Sequence, residues 1–597
     1  MVEKILAEHE SLPSTWPVHG DTGYRFAALV NALLVDPARE EAVDQLERSF
    51  TGRRESFDEI AYESRKLIIG TSLFSELGWL TDALHRITRT NRRTRDFTRN
   101  RLRVALTEAA AAFPVYRTYL RTGEAPTATD RQHIDWALAA AKRRLGPSQA
   151  PVLDALRDVL LGEGEVAARD RRRPRFIARW QQFTAPVMAK GLEDTAFYRY
   201  PRLVSLNDVG SDPRRFGVSP AAFHAANQTR ARFRPHSLLA TSTHDSKRGE
   251  DLRARIDVLA EDPSLWQEGV QRLATLSERY LTETEDGPAP SRGDIWLLYQ
   301  TLVGLWPIEP PGEDEREQLR LRIQAYMLKA AREAKLRTNW TAPVAAYEDA
   351  LASYVDALLR PTPPNPFVAE IERMAARIAP FGFRNALAQV ALKLTVPGVP
   401  DIYQGCEQWN FSLVDPDNRR PVDFERLATQ LEAIRIVYAR GYPGRADWQQ
   451  LHAQVANGRI KQLVTWRLLQ LRAAWPQLFR DGSYVPLACS GRAAEHAIAF
   501  ARQHQQQAVV VVAARLTYTL CGGNTSLWGR QAWGDTVLRL DEQQPPPVRA
   551  GRWREWLTGR ELASPANGDG LPLSRIFADA NALPFAVLVP AEGGPAA

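Results

Sequence analysis

Three places in this 597-residue chain put polar chemistry at or near the end of an apolar, strand-like run. Glu3 stands inside "VEKIL", where Val2, Ile5 and Leu6 read as a short buried strand. A carboxylate there is costly unless it is paired or used. His244 and Asp245 close "SLLATSTHD", and Tyr403 and Gln404 follow the apolar run of "LTVPGVPDIYQG". Two carboxylates at the strand ends of one barrel suit glycosidic chemistry: one protonates the departing oxygen while another attacks or supports an oxocarbenium-like centre. The plain alternative for Glu3 is a surface glutamate on a frayed terminus.

The elements that would hold these residues follow from the apolar periodicity. Phe26, Leu29, Val30 and Leu33 share one helical face, and Leu73, Leu77, Leu80, Leu84 and Ile87 share another. The stretch from about 35 to 180 reads as mostly helical, interrupted once where "PVYRTYL" alternates like a strand. More helix is expected from about 247 to 380, broken by "EDGPAPS", "IEPPGE" and "PTPPNP". Beyond about 455, "HAIAFARQ", "AVVVVAAR", "DTVLRL" and "FAVLVP" read as strands between turns, as in an antiparallel sandwich. Buried strands separated by long helical stretches, then a β-rich tail, give an α/β chain: a (β/α) barrel followed by a β-sandwich. In such barrels catalysis sits at the C-terminal strand ends.

Bulk properties exclude several classes. Only Cys406, Cys489 and Cys521 occur, widely spaced, which leaves no disulfide framework and favours a reducing, cytoplasmic setting. The ten histidines form no HExxH or HxxxH pair, so no zinc site is expected. No apolar run is long enough to span a bilayer, and the opening stretch does not read as a signal segment. Net charge is +7, with eight arginines between Arg86 and Arg103. No nucleic-acid motif accompanies them, so they read as a solvated helical face and no nucleic-acid partner is expected.

Specific strings narrow the reading. "STHDSKRGEDLRARI" (242–256) resembles the seventh-strand end of the α-amylase superfamily, and "PGVPDIYQGCEQWNFSLVDPDNRRPVDF" (397–424) its eighth strand and following loop. "MAKGLEDTAFYRYPRLVSLNDVGSDPRRFG" (188–217) resembles the maltooligosyltrehalose synthase family within it, and "VEKILAEHESLP" with "WPVHGDTGY" is similar to that family's fifth-strand region. The four strings occur in the family's order. The resemblance implies the C-terminal half of a (β/α)8 barrel of glycoside hydrolase family 13 with large helical insertions, followed by an antiparallel β-sandwich. It implies a strand 5 region at 1–35, a mostly helical insertion at 36–185, strands 6–7 within 186–250, a helical insertion at 251–380, strand 8 within 381–455 and the sandwich at 456–597.

The resemblance makes Glu3 the general acid/base and Asp245 a third carboxylate gripping sugar hydroxyls, with His244 donating to the same sugar. Lys190, Tyr198, Lys247 and Arg248 would line a closed pocket, with Tyr403, Gln404 and Arg419 near it. It implies intramolecular transglucosylation of maltooligosaccharides, in trehalose biosynthesis, with no metal or organic cofactor. A pathway partner that frees trehalose, a maltooligosyltrehalose trehalohydrolase, follows from the same resemblance. The family's nucleophilic aspartate lies in a string resembling "GxRxDHxDG", and this sequence holds no Asp-His dipeptide. Strands one to four are therefore expected before residue 1, so that the sequence reads as N-terminally truncated.

Structural alternatives stand beside these roles. Asp245 could cap the helix after it, and Lys247 and Arg248 could be first-turn surface residues. Glu193 and Asp194 could pair with Arg199 or Arg202, and Tyr198 could be core. Asp415 and Asp417 read as turn formers, with Arg419 pairing to one of them or reaching substrate, and Trp409 is a candidate for sugar stacking. Rival functions are another α-glucan hydrolase or transferase, or a non-catalytic glucan-binding half of a split enzyme.

Overall fold

The structure is a computed structural model that describes residues 1, 10, 12–13, 15–121, 123–163, 170–360, 364–540, 546–549, 551–564, 570–579, 581–592 and 594. Glu3 and the whole "VEKIL" run lie outside the described residues.

Strand β1 (Leu238–Leu239) is followed by a hairpin, β2 (Thr282–Thr284) and β3 (Gly287–Ala289), and then by β4 (Val399–Pro400). β1 and β4 pair in parallel, Leu238 opposite Val399. On the other side of β1 runs the segment 20–23: the Leu238 amide donates to the Asp21 carbonyl at 3.0 Å. Gly20 lies against Ser237 and Gly23 against Ala240, so this segment runs in the same direction as β1. Gly23 has φ 97°, and a Cβ on it would stand 2.5 Å from the Ala240 nitrogen. Only glycine fits that turn at so close an approach. Its amide donates to Asp21 Oδ1 at 2.9 Å, which starts the helix Tyr24–Leu33 beside the end of β1. Within 186–236 there is no strand, so β1's neighbour away from β4 comes from the N-terminal stretch.

From helix Phe57–Gly70 to helix Arg173–Met188 the described residues are mostly helical and pack around a core of their own, including Leu77, Leu84, Leu102, Leu156 and Trp180. The periodic residues Leu77, Leu80, Leu84 and Ile87 lie on the buried face of helix Phe74–Thr88. "PVYRTYL" is not a strand. The Tyr119 amide donates to Asp130 Oδ1 (3.0 Å), and Gln181 both accepts from the Leu120 amide (2.8 Å) and donates to its carbonyl (3.2 Å). Side chains there satisfy backbone groups that a ladder would otherwise take up. Arg92, Arg93, Arg95 and Arg99 are exposed, a solvated face. Among the described residues no helix is long and apolar enough to cross a membrane.

The tail begins with helices Arg459–Ala474 and Pro476–Asp481, so its first strand comes later than position 456. Then follow β5 (Ser483–Leu487), β6 (Cys489–Ser490), β7 (Ala497–His504), β8 (Gln507–Ala514), β9 (Val537–Leu538), β10 (Arg552–Glu555), β11 (Glu561–Ala563), β12 (Leu571–Pro572) and β13 (Phe585–Pro590). They make a six-stranded antiparallel sheet, β11-β10-β13-β8-β7-β5, and a three-stranded one, β12-β9-β6. Buried arginines fasten this tail to the rest. Arg515 donates to the carbonyls of Leu33 (2.7 Å) and Val35 (3.4 Å), capping the helix that leaves the 20–23 turn. Arg502 reaches the Thr395 carbonyl at the end of the helix Pro366–Thr395 and, within the tail, the carbonyls of Ser483, Leu478, Phe479 and Gly482.

A guanidinium carries five donors in a planar fork, an ammonium three. Arg502→Met is therefore expected to cost about 3 kcal/mol or more in denaturant unfolding, since it strands several buried carbonyls. Arg502→Lys should recover only part of that loss. Equal stability of Met, Lys and wild-type chains would remove the fastening role.

Candidate active site

The C-terminal ends of 20–23, β1 and β4 converge on the loop 241–249. A Thr243-centred turn shapes it: the Asp245 amide donates to Thr243 Oγ1 (3.1 Å) and the Thr243 amide to Ser246 Oγ (3.0 Å). Thr243 Oγ1 in turn donates to Tyr24 OH at 3.3 Å, linking the loop to the first helix. The next helix, Glu250–Ile256, starts five residues after Asp245, with Gly249 at its N-cap. Asp245 is not the helix cap, which removes that structural alternative. Its carboxylate lies 3.7 Å from His244 Nε2, and the His244 side chain is 58% exposed.

The loop after β4 holds the His244–Asp245 turn from the other side. Asn418 Nδ2 donates to the carbonyls of His244 (3.1 Å) and Ser246 (3.3 Å), and Arg419 reaches the His244 carbonyl at 3.5 Å. Tyr403 OH donates to the Asn418 carbonyl at 3.1 Å, while Gln404 is exposed. That loop is itself ordered by ion pairs: Asp417 with Arg322 (2.8 Å) and Asp415 with Lys329 (2.9 Å). The turn-forming reading of these aspartates fits. Trp409 is not a surface platform. Its indole donates to the Val455 carbonyl (2.6 Å) and its ring packs on Phe383, 4.5 Å between centroids.

The third wall is the "KGLEDTA" string, which forms a π-helix, Ala189–Ala196. Such turns are rare and often mark functional sites. Asp194 projects from it to Lys190 Nζ (2.7 Å) and to Lys247 Nζ (2.5 Å). Burial would raise the Asp194 carboxyl, but Lys247 and Lys190 outweigh it and hold it down at about 2. Lys247 is buried, so it is not a first-turn surface residue, and burial is outweighed there too, by Tyr198 and Asp194, which raise it. Lys190 stays 63% exposed. Tyr198 is buried, with Lys247 5.6 Å from its ring centroid, and its hydroxyl has no partner among the described residues.

Several expected pairings change. Arg248 does not line a pocket: its guanidinium donates to the Val204 carbonyl and to Tyr326 OH, and it braces the loop from behind. Asp194 takes lysines, not Arg199 or Arg202. Arg199 donates to the carbonyls of Ala334 and Lys335, and Arg202 pairs with Glu40. Glu193 accepts from Tyr116 OH and from the Gly210 amide. The residues that sequence reading passed over are Asp208, Arg253 and Asn418. Asp208 accepts from the Lys247 amide (3.2 Å) and from Arg253 (2.8 Å), and its signal in the sequence is the "SLNDVG" string.

The arrangement defines a class: a helix-rich α/β chain with a separate antiparallel sheet, its polar groups gathered at the ends of parallel strands. No family model matches the chain. It matches proteins named maltooligosyltrehalose synthases. It is 34% identical over 603 aligned residues, 99% of its own length, to a Mycobacterium tuberculosis protein provisionally named maltooligosyl trehalose synthase. Among solved structures, the maltooligosyltrehalose synthase of Arthrobacter ramosus matches 98% of the chain at 35% identity with TM-score 0.78. A further maltooligosyl trehalose synthase matches 98% at 27% identity with TM-score 0.71. The resemblance read from the four strings therefore holds along nearly the whole chain. The chain spans 65% of the M. tuberculosis relative, 66% of the A. ramosus one and 65% of the third.

Because Asp194 is held below the ordinary carboxylate range, its stabilising effect is fully present above that range and is lost as pH falls toward 2. Asp194→Asn is expected to cost about 2 kcal/mol near neutral pH, with the difference from wild type shrinking as pH falls. Fluorescence-monitored unfolding across pH checks this. A difference that does not change with pH would assign the loss to packing and not to the two lysines.

Proposed function

We propose that this chain forms the strand 5 to 8 part of a barrel that rearranges the reducing-end α-1,4 bond of a maltooligosaccharide to α-1,1. The reaction class is intramolecular transglucosylation, leaving a trehalose unit at the chain end. The observation that carries the reading is the His244–Asp245 turn. It stands at the C-terminal end of β1 between two same-direction neighbours, in a string that resembles the family's. Segment 20–23 is then the sixth strand, β1 the seventh and β4 the eighth.

In this reading Glu3 protonates the departing oxygen while a nucleophilic aspartate attacks the anomeric carbon. No residue of this sequence is assigned that role, since it holds no Asp-His dipeptide. Asp245 and His244 grip the hydroxyls of the attacked sugar. The released glucose stays bound, turns and offers its anomeric hydroxyl, which Glu3 then deprotonates. Transfer in place of hydrolysis requires the freed sugar to be held and water excluded. Lys190 and Lys247, gathered by Asp194, supply donors for that hold. A glucan-binding chain without turnover is the second reading, favoured by the missing Asp-His string.

Maltopentaose titration by calorimetry tests the site: Asp245→Asn should weaken binding about tenfold or more, as a charge-assisted contact is lost. Reducing-end assay with anomeric NMR then separates the readings. Reducing ends that disappear with no free glucose, as α-1,1 signals rise, fit the synthase. Binding with no turnover, even with a chain bearing the other strands added, leaves the glucan-binding role. Unchanged binding in Asp245→Asn would overturn the placement of the site.

A further inference from the structure

A tryptophan stands on the surface at the end of a hydrogen-bonded chain that begins at the π-helix. Lys335 Nζ donates to Thr195 Oγ1 (3.1 Å), next to Asp194, and also to Glu333 Oε2 (3.2 Å). The other oxygen of Glu333 accepts from Trp340 Nε1 at 3.0 Å. Trp340 is 50% exposed, and the Arg332 guanidinium lies 4.9 Å from its ring centroid, covering one face. Arg332 is locked in turn by a two-point pair with Glu348, 2.9 and 2.6 Å.

The loop that carries the indole is pre-formed. Lys335 ends the helix Glu313–Ala334 at φ 55°. Asn339 Oδ1 accepts from the Thr341 amide (3.0 Å), the Thr341 hydroxyl (2.8 Å) and the Ala342 amide (2.8 Å). Thr338 Oγ1 donates to Glu348 (2.6 Å) and accepts from the Val344 amide (3.1 Å). A large aromatic surface held by fixed polar contacts, and not by a core, loses little entropy when something stacks on it.

We propose that the open face of Trp340 is a stacking platform for the distal sugars of an α-glucan chain whose end occupies the Asp245 site. The platform rests on the glucan reading given above. The path Lys247–Asp194–Thr195–Lys335–Glu333–Trp340 ties it to that site through contacts of residues adjacent in space or sequence. Leu336 and Val344 are the other exposed apolar side chains of this loop, and Arg332, Glu333, Asn339 and Thr341 bring donors and acceptors to it. A protein partner would need a patch of roughly 800 Å². One flat apolar face ringed by donors and acceptors matches a sugar ring, with its apolar face and polar edge.

The test is calorimetric titration of the full chain with maltotriose through maltoheptaose. Wild type should tighten with length. Trp340→Ala should bind the shortest sugar as wild type does and lose about tenfold for the longest, the scale of one aromatic contact. Trp340→Tyr should keep most of the gain. Glu333→Gln, which keeps the ring but weakens its anchor, should fall between. A length gain that survives Trp340→Ala, an equal loss at every length, or no length gain in wild type would each overturn the platform alone. Absence of binding by every maltooligosaccharide would overturn the glucan reading and the platform with it.

Discussion

Four buried charges behind the His244–Asp245 turn hold the site together. Lys461 Nζ reaches Glu250 Oε1 (2.6 Å), Asp251 Oδ2 (2.7 Å) and the Gln408 carbonyl (3.0 Å). Lys393 donates to Thr241 Oγ1 at 2.7 Å and lies 3.7 Å from Glu250. Thr241 Oγ1 also donates to Glu250, the Glu250 amide donates to Ser242 Oγ (2.9 Å), and the Asn410 amide to Asp251 (2.6 Å). This one cluster joins the end of β1, the following helix, the long helix Pro366–Thr395, the helix Arg459–Ala474 and the loop beyond β4. Burial raises the Glu250 carboxyl less than Lys393 and Lys461 lower it, to about 2. Asp251 is pushed up, to about 6, by burial, with Glu250 adding and Lys461 opposing. A buried charge cluster gives little net stability over an apolar core, but removing one partner strands the others. Its effect is to leave the loop one arrangement.

The front of the site is built differently. Asp194, Lys190 and the exposed His244 ring meet solvent, and a π-helix supplies the aspartate. Functional groups held from behind by a dry network, and wet in front, keep their geometry while their donors remain open to a ligand. Arg253 connects the two sides. It pairs with Asp208 and donates to the carbonyls of Arg248 and Thr241.

What the sequence revealed was uneven, for physical reasons. Continuous apolar runs such as "AVVVVAAR" and "FAVLVP" became β8 and β13, because both faces of those strands are covered. The heptad-like spacing from Leu77 to Ile87 gave a helix as read, since period alone decides it. "PVYRTYL" alternated without being a strand, because distant Asp130 and Gln181 took its backbone groups. The string around Asp245 is legible in the sequence, and the structure adds that Gly249, and not Asp245, caps the helix that follows. Asp194's partners were not legible: whether a carboxylate meets an arginine five residues on or a lysine 53 residues on depends on the π-turn, which no local pattern announces. Arg248, charged and next to the site, looked like a lining residue until its carbonyl partner Val204 appeared.

The cluster is best tested by a double-mutant cycle on Glu250→Gln and Lys461→Met, read by denaturant unfolding. Charges that share one buried network should be strongly non-additive, with a coupling of about 2 kcal/mol or more. Effects that add to within about 0.5 kcal/mol would contradict the account, because the two residues would then stabilise the chain independently and nothing behind the turn would hold it as a unit.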